Sequence, residues 1–398
     1  MLPPEDVLHG LFDRTTLDAF VRTSWGREHA HASGDPTRFA HLLPWSTLDA
    51  VLRQHRLPPP RLRLALDGGT VPESAYVQPS HRGRSAATRR VDHGLLQAQL
   101  RRGATLVLDA VDELVDPVGD LADAFERVFR ERFQVNAYAG FGTSRGFDVH
   151  WDDHDVFVLQ VAGRKRWRVY GATRASPLDR DEAPEEAAPT EPVWEAVLTA
   201  GDVLYLPRGC WHGAVALGEP TLHLSVGATA RTGVDLLRWC VDEVRMRPAF
   251  RRDLPRLSDD AARAAHLGEL RGALLDLLSD GALERYFADV DARAEVRTRT
   301  SLPIAVTGAP LADDARLRWL PVRVGDVAPD PDGAVRVAAG GSRWTFAAAA
   351  VPALRALTTE RTVTLGALQG RSILAPETLR AFVRELVEAG LVAIEDPP

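Results

Sequence analysis

Apolar and polar residues alternate through the middle of the chain in a pattern that predicts short β-strands. The predicted strands are 103–111, 134–141, 156–163, 166–171, 197–215 and 220–229, and a periodic stretch at 121–133 predicts an amphipathic helix. Many short strands separated by turns are typical of an antiparallel jelly roll or barrel. We therefore expect a mainly β domain whose jelly roll covers about residues 103–229.

A helical period replaces this alternation from residue 233 onwards. Apolar residues recur at helical spacing at Leu236, Leu237, Cys240, Val241 and Val244. A second leucine-rich helical pattern covers 261–287. The apolar faces exceed what a peripheral hairpin buries on one barrel, so we predict an α-helical dimerisation region over 231–298 and a two-fold homodimer.

The C-terminal part is predicted to form a winged-helix domain over 299–398. One helical face there is formed by Leu379, Phe382, Val383, Leu386 and Val387. Pro376 suits a first helical turn, Gly390 a helix end, and a short strand follows. Residues 1–230 remain as a first domain, whose first 100 residues show only short helical patterns broken by Pro, Gly and His and suggest no chemistry.

Composition narrows the class of protein. The 398 residues carry a net charge of −7, which argues against nucleic acid as a partner because the phosphate backbone attracts a basic face. The two cysteines cannot form a disulfide framework, and no run of about 20 apolar residues predicts a membrane span. The opening MLPPEDVLHG lacks the pattern of a secretory signal. We expect a cytoplasmic protein.

The basic residues include a single lysine. Of the 48 lysines and arginines, 48 − 1 = 47 are arginine, and Lys165 is the exception. A genome that favours arginine explains the bias but not the exception. Lysine is a compact charge on a flexible stem, so it suits a constrained site that a guanidinium does not fit. The alternative is chance survival.

Two histidines and an aspartate suggest a metal site. His150 and Asp152 are two residues apart, so on a strand they project from the same face. His212 begins a later strand of the same predicted barrel. Two imidazoles and one carboxylate form the facial triad of non-haem Fe(II) enzymes, which leaves coordination positions open for a co-substrate and dioxygen.

Lys165 is predicted to face the interior of that barrel. It shares strand parity with Trp167 and Val169, whereas Arg166 and Arg168 occupy the other face. A buried ammonium is costly unless an anion pairs with it. The distal carboxylate of 2-oxoglutarate would supply that anion while its keto-acid end binds the iron.

These motifs together resemble the JmjC-type, cupin-fold 2-oxoglutarate oxygenases, specifically the ribosomal oxygenases. The resembling segments are Asn136-x-Tyr138, Ser144-Arg145-Gly146-Phe147 leading into His150-x-Asp152, the run DDHDVFVLQVAGRKRWRVY, the segment GDVLYLPRGCWH that ends at His212, and HLSVG from His223. The resemblance covers about residues 100–230 closely. The helical and winged-helix parts match the family in order and size.

The resemblance implies a function and a role for each residue. It implies Fe(II) ligation by His150, Asp152 and His212, 2-oxoglutarate anchoring by Lys165, and a pocket lined by Asn136 and Tyr138. Known members use dioxygen to hydroxylate the β-carbon of histidine or arginine in ribosomal proteins, and many dimerise through helices before the winged helix. We therefore expect an Fe(II)- and 2-oxoglutarate-dependent hydroxylase of a protein or peptide, with a ribosomal protein as the candidate substrate.

Two departures from the family leave the substrate open. Arg145 stands where glutamine is usual, and Asp148 adds a charge just before the triad. The chain could instead hydroxylate a biosynthetic peptide or a small molecule. A further alternative is a non-catalytic metal-binding cupin that acts as a regulator.

Several neighbouring residues have competing interpretations. His223 is assigned to the cofactor-binding residues, with a hydrogen-bonded core histidine as the alternative. His154 has the parity of a ligand, but a local turn contact is more usual in DDHD. Cys210 is expected to be buried and inert. The acidic segment 176–194 is expected to form an exposed loop that could attract a basic substrate.

Overall fold

A computed structural model describes residues 14–80, 88–178, 181, 187–297 and 299–395. The chain divides into two compact units, 1–230 and 231–398. Among the described residues, no helix is both long enough and apolar enough to cross a membrane.

The first unit contains thirteen strands and four α-helices among its described residues. In chain order they are α1 (Arg14–Thr23), β1 (Ala30–Ala32), α2 (Trp45–Gln54), β2 (Leu62–Leu66), β3 (Gly69–Thr70), β4 (Val77–Ser80), β5 (Thr88–Val91), α3 (His93–Arg101), β6 (Thr105–Leu108), α4 (Asp116–Phe129), β7 (Arg132–Gly140), β8 (Asp155–Ala162), β9 (Lys165–Ala172), β10 (Trp194–Leu198), β11 (Val203–Leu206), β12 (Cys210–Ala216) and β13 (Thr221–Thr229).

Two antiparallel sheets form the core of this unit. The larger sheet has the strand order β1-β11-β8-β13-β7-β6-β2-β3, and the smaller has the order β10-β9-β12. Side chains of both sheets meet in one apolar cluster, which includes Val158 of β8 and Trp167 of β9. The predicted jelly-roll domain is therefore confirmed, as a β-sandwich of two antiparallel sheets.

Strand β8 shows why its sequence is almost continuously apolar. On one face, Val156 and Val158 pack towards the smaller sheet. On the other, Phe157 packs against Phe125 of α4, with their ring centroids 5.0 Å apart. A strand covered on both faces needs apolar residues at every position rather than at alternate ones.

Strand β9 instead alternates buried and exposed residues, as the sequence predicts. Lys165 and Trp167 are buried, whereas Arg166 and Arg168 are exposed and pair with Glu195 at 3.5 and 2.8 Å. The strict alternation puts the only lysine of the chain on the inner face.

Three predicted elements of the first unit are corrected by the structure. The helix predicted at 121–133 is α4, which begins at Asp116 with a proline in its first turn and ends at Phe129, because Arg130 adopts φ = 60°. The strand predicted at 103–111 covers only Thr105–Leu108, since Ala110 is left-handed at φ = 50°. The first hundred residues are not merely helical, because β2 pairs with β6 in the large sheet.

The second unit is helical at first and mixed afterwards. Its elements are α5 (Gly233–Val244), α6 (Pro248–Arg251), α7 (Asp260–Leu277), α8 (Ala282–Ala292), α9 (Leu302–Thr307), β14 (Arg316–Trp319), β15 (Ala334–Ala339), β16 (Ser342–Ala347), α10 (Val351–Glu360), β17 (Thr362–Thr364), α11 (Leu365–Arg371), α12 (Pro376–Glu388) and β18 (Val392–Glu395). The helical pattern at 261–287 is divided between α7 and α8 at Gly281, which adopts φ = 79°.

The two parts of this unit have separate apolar clusters. Trp239, Cys240 and Leu277 belong to the cluster between α5, α7 and α8. The C-terminal cluster packs α10 to α12 against the sheet β17-β14-β18. The predicted face of α12 is buried, namely Leu379, Phe382, Val383, Leu386 and Val387. Pro376 lies in its first turn and Gly390 follows its end at φ = 70°, as predicted.

Candidate metal centre

His150, Asp152 and His212 converge at one point of the first unit. Their ligand atoms lie within 4.8 Å of one another. One carboxylate oxygen of Asp152 is 3.6 Å from His212 Nε2, and the other is 4.0 Å from His150 Nε2. Metal–ligand bonds of about 2.0–2.2 Å place two ligands of one ion up to about 4 Å apart, so these spacings suit a shared ion.

The local structure around His150 differs from the prediction. His150 and Asp152 lie in an irregular segment between β7 and β8, not on a strand. Two isolated bridges join this segment to β12, one between Arg145 and Val215 and one between His150 and His212. At the second bridge the two backbones exchange hydrogen bonds of 3.1 and 2.7 Å. The Asp152 carbonyl also accepts from Gly209 N at 2.8 Å. Backbone bonds thus fix both ends of the pair without a regular ladder.

The two imidazoles are oriented in the same way. His150 Nδ1 lies 2.8 Å from the Asp148 carbonyl, and His212 Nδ1 lies 2.9 Å from the Cys210 carbonyl. A carbonyl only accepts, so Nδ1 carries the proton in each ring and Nε2 is left as a lone pair. Burial lowers the pKa of His212, which the Asp152 carboxylate partly opposes. Low pKa favours the neutral imidazole that binds metal.

A cavity of about 320 Å³ opens onto these three residues. Each remaining candidate from the sequence also lines it: Asn136, Tyr138, Lys165 and His223. Asn136 and Tyr138 project from β7, and His223 comes from β13, which pairs with β7 so that His223 lies opposite Tyr138. Residues far apart in the chain therefore meet because β7 and β13 of the larger sheet and β9 of the smaller sheet place them on the inner faces of the sandwich.

Lys165 is buried on the wall of this cavity. It is 7% exposed, and burial lowers its pKa to about 8. Its Nζ lies 5.8 Å from the centroid of the Trp167 ring. Among the described residues, no carboxylate forms an ion pair with it, so the cost of burying the charge is not offset within that part of the protein.

His223 is a second buried polar group with an unused atom. It is 3% exposed, stacks on Tyr138 with centroids 4.8 Å apart, and its Nδ1 has no hydrogen-bond partner among the described residues. Burial and the nearby charge of Lys165 lower its pKa well below the usual value. A neutral imidazole and an ammonium thus face the same enclosed space.

The other two predicted lining residues are polar and fixed. Asn136 Oδ1 accepts from the backbone N–H of Ala110 at 2.9 Å and from Gln134 Nε2 at 3.0 Å. Burial raises the pKa of the Tyr138 phenol, and the Asp152 carboxylate raises it further. Tyr138 therefore stays a neutral hydrogen-bonding group over the physiological range of pH.

Some residues that line the cavity were assigned no role in the site from the sequence. Arg63, Thr105, Phe147 and Ser225 also border the cavity. Arg63 is held by two hydrogen bonds to Asp109, of 3.0 and 2.9 Å. Ser225 shares strand parity with His223, so alternation could have found it. Arg63 lies in a region whose strand pattern was not recognised.

Other singled-out residues lie outside the metal cluster. His154 Nδ1 contacts Asp153 Oδ1 at 2.9 Å, the local contact expected of it, and although it lines the cavity it is not one of the grouped ligands. Cys210 is buried, and burial raises the pKa of its thiol to about 11. Arg145 and Asp148 form a half-exposed ion pair at 2.9 Å.

The acidic segment 176–194 is only partly described. Asp179, Glu182, Glu185 and Glu186 lie outside the described residues. Asp181 forms an ion pair with Arg174 at 3.4 Å.

The sandwich and its centre define a class of protein. Two histidines and one carboxylate at the mouth of a β-walled cavity characterise metal-dependent cupin-fold proteins. Within that class, residues 114–236 match the family model of the JmjC domain. This segment is therefore similar to a JmjC domain, and the sequence is similar to those of the ribosomal oxygenases.

Curated relatives support this assignment over about half of the chain. Ribosomal oxygenase 1 of Gallus gallus is 31% identical over 219 residues, which are 54% of this chain and 35% of that protein. The bifunctional lysine-specific demethylase and histidyl-hydroxylase NO66 of Dictyostelium discoideum is 26% identical over 228 residues, 56% of this chain and 42% of that protein. The chain thus spans less than half the length of either relative.

A solved structure shares the fold along nearly the whole chain. The ribosomal oxygenase YcfD of Escherichia coli, in complex with cobalt and 2-oxoglutarate, superposes with a TM-score of 0.59 at 20% identity. The match covers 96% of this chain and 98% of that one. This likeness establishes the fold.

Proposed function

We propose that this protein is an Fe(II)- and 2-oxoglutarate-dependent hydroxylase of a protein or peptide side chain. The observation that carries the proposal is the presence of a buried ammonium and a two-histidine, one-aspartate cluster on the walls of one cavity. The first calls for an anion and the second for a metal ion. 2-Oxoglutarate bound to Fe(II) satisfies both at once.

The metal ligands in this proposal are His150, Asp152 and His212. The nitrogen and oxygen donors suit Fe(II), and a triad leaves positions open for a co-substrate and dioxygen. The two Nδ1–H donors on backbone carbonyls hold both rings so that Nε2 faces the ion. Because both histidines are needed neutral, metal binding should weaken as pH falls.

Lys165 and His223 would hold the distal carboxylate of 2-oxoglutarate. Lys165 supplies the charge, and the neutral ring of His223 can donate one hydrogen bond from the Nδ1 that has no partner among the described residues. The buried groups around them exclude water, which strengthens the ion pair. Arginine in place of Lys165 would need more room than the strand-lined site offers.

The substrate side chain would enter beside Phe147 and Tyr138. These rings lie 6.3 Å apart in an edge-to-face arrangement and border the cavity, together with Asn136 and Arg63. When bound, iron and 2-oxoglutarate supply an oxidant that inserts one oxygen atom of dioxygen into a C–H bond, with succinate and carbon dioxide as products. The rings and amide would orient the target carbon, a β-carbon of histidine or arginine in a ribosomal protein.

Turnover can be tested directly. The iron-loaded full chain is incubated with 2-oxoglutarate and ribosomal proteins extracted from cells that lack this gene, and both succinate and a mass increase of one oxygen atom are measured. We expect metal-dependent succinate and a modified histidine or arginine. Hydroxylation of a small peptide instead would favour the biosynthetic alternative, and metal binding without 2-oxoglutarate binding would favour the regulator.

The helical region would form a homodimer. Large apolar side chains stay exposed along its helices, including Leu237 at 56%, Val241 at 60% and Phe287 at 50%. Exposed apolar stripes on consecutive helices are typical of an interface between copies. Light scattering after sizing chromatography should give twice the mass of one chain, whereas the mass of one chain would contradict the proposal.

The C-terminal region would be a winged-helix module that contacts protein rather than nucleic acid. Helix α12 carries Glu377, Glu385 and Glu388, and its Arg380 already pairs with Asp313. Nucleic acid would need unpaired basic groups on such a helix. The proposed domain order is then a catalytic domain over 1–230, a helical region over 231–298 and a winged helix over 299–398. We expect no salt-dependent DNA binding by the full chain.

A further inference from the structure

A second concave site lies on the first unit, away from the metal cavity. It is a groove of about 760 Å³ between α2 and α3, which we call the α2–α3 groove. Its walls are formed mainly by Trp45, Leu48, Leu52, Leu96, Leu100 and Phe141. Ala139 of β7 lines it, whereas Tyr138 lines the metal cavity, so the two sites lie on opposite faces of one strand.

The apolar surface of the groove is presented to solvent by aromatic residues. Trp45 and Phe141 pack together with ring centroids 5.5 Å apart, and Phe141 remains 38% exposed. Leu52 and Leu100 are only partly buried. Aromatic side chains with leucine around them form the anchoring pockets that accept apolar side chains of a partner.

The rim of the groove is basic in an otherwise acidic protein. Arg53 and Arg101 line the groove, and Arg56 and Arg90 line a small adjoining cavity that shares Leu52 and His93 with it. All four arginines are exposed, and within the part of the chain that the structure describes none has an ion-pair partner. Asp49 is the one carboxylate on the described wall of the groove.

Several other arginines of the first unit do form ion pairs. On β9, Arg166 and Arg168 share Glu195, and Arg63 is held by Asp109. Four unpaired arginines around an apolar groove therefore leave local positive charge that a carboxylate-bearing ligand would complement. A nucleic acid would satisfy the charge but leave the leucine-lined walls in contact with water.

We propose that the α2–α3 groove is a docking site for an acidic amphipathic peptide segment of another protein. Apolar side chains of the segment occupy the space between Trp45, Leu52 and Phe141, and its Asp or Glu residues pair with Arg53 and Arg101. The site serves recognition, separate from the chemistry on the other face of β7. It does not depend on the proposed hydroxylase activity.

The test uses the full chain and a fluorescein-labelled peptide of about 15 residues, with Leu and Phe at helical i, i+3 and i+7 spacing and Glu elsewhere. A second peptide carries Lys in place of Glu. By fluorescence anisotropy we expect the acidic peptide to bind at least about ten-fold more tightly than the basic one. Equal binding of the two, or no binding of either, overturns the proposal.

Variants locate the binding and separate the other occupants. Arg53→Glu combined with Arg101→Glu should reverse the preference, and Phe141→Ser should weaken the acidic peptide about ten-fold. The matched control reverses two exposed arginines of the same unit, Arg22→Glu with Arg27→Glu, and should change nothing.

Two further outcomes overturn the proposal. In the first, a single-stranded RNA oligonucleotide displaces the peptide, and its binding is weakened by the same substitutions of Arg53 and Arg101. In the second, the acidic peptide binds only after residues 1–13 are deleted, which would assign the groove to the chain itself. Circular dichroism melts of each variant verify that folding is retained.

Discussion

The two units of the protein break opposite rules of folding. The β-sandwich buries polar groups that have no partner among the described residues, with Lys165 and His223 facing one cavity. The helical region exposes apolar groups, with Leu237 and Val241 on the surface of α5. A buried charge without a partner and an exposed apolar stripe both raise the free energy of the isolated chain. The difference teaches that a small anionic ligand would offset the cost in the first unit, whereas an apolar protein surface would offset it in the second, as we propose.

The largest expected effect is the loss of the metal centre. Asp152→Ala removes the carboxylate that lies between the two histidines, so we expect metal-dependent succinate formation to fall at least about 10³-fold. Mn(II) binding, followed by electron paramagnetic resonance, should weaken in parallel. Asp153→Ala is the matched control, because its carboxylate contacts His154 and not the triad. Full activity in Asp152→Ala would contradict the proposed metal site.

The second prediction concerns the exposed apolar residues of the helical region. Leu237→Glu with Phe287→Glu should raise the dissociation constant of the dimer about 100-fold or more, because two charges would be buried in an apolar interface. Light scattering at falling protein concentration measures the change. Val193→Glu alters an equally exposed apolar residue of the first unit and should leave the dimer intact. A dimer unaffected by the double substitution would place the interface elsewhere.

Replacement of Lys165 should have opposite effects on ligand binding and on the stability of the β-sandwich. Lys165→Met should weaken 2-oxoglutarate binding by about 10–100-fold, the range for a charge-assisted hydrogen bond. The same change should stabilise the ligand-free protein by ~1–3 kcal/mol, because it removes a buried unpaired charge. Calorimetric titration and thermal melts test the two effects. Loss of binding together with loss of stability would indicate a structural role for Lys165.

The pH dependence of binding has a defined sign. Lys165 must be protonated to pair with a carboxylate, and its pKa in the ligand-free protein is about 8. We expect the affinity for 2-oxoglutarate to be highest below pH 8 and to fall by up to about ten-fold for each further unit. Lys165→Met should bind weakly with no such dependence. An affinity that rises through this range would contradict the pairing.

The stability of the ligand-free protein should change in the other direction. The unfolded chain keeps the lysine proton up to its ordinary pKa of 10.5, whereas the folded protein releases it near 8. Between these values the unfolded state holds more protons, so the free energy of unfolding should increase with pH by this contribution. Denaturant unfolding of the protein and of Lys165→Met, compared over this pH range, isolates the contribution of Lys165 to the free energy of unfolding. Identical pH profiles of the two proteins would exclude that contribution.

Local patterns predicted the parts of the site that lie on regular strands. Alternation along β9 placed Lys165 inside and Arg166 outside, and the solitary lysine drew attention to that position. The pair His150 and Asp152 was found by strand parity although it lies in an irregular segment, where its position depends on backbone bonds to β12. Sequence spacing identified the residues but not the structure that holds them.

The remainder depends on contacts between distant parts of the chain. Arg63 reaches the cavity because β2 pairs with β6, a register that no local pattern encodes. The α2–α3 groove joins Trp45 to Phe141 across almost a hundred residues, without a motif. Helix ends differ from the predicted ones where a single residue such as Arg130 adopts a left-handed conformation, which its side-chain type does not predict.

Titration of 2-oxoglutarate into the protein, with and without Mn(II), tests the central claim most directly. The account predicts tight binding that requires the metal, is retained in Asp153→Ala, is lost in Asp152→Ala and is weakened about 10–100-fold in Lys165→Met. Binding of equal strength in the absence of metal, or in both of those variants, would show that the triad and the buried ammonium do not hold one co-substrate between them.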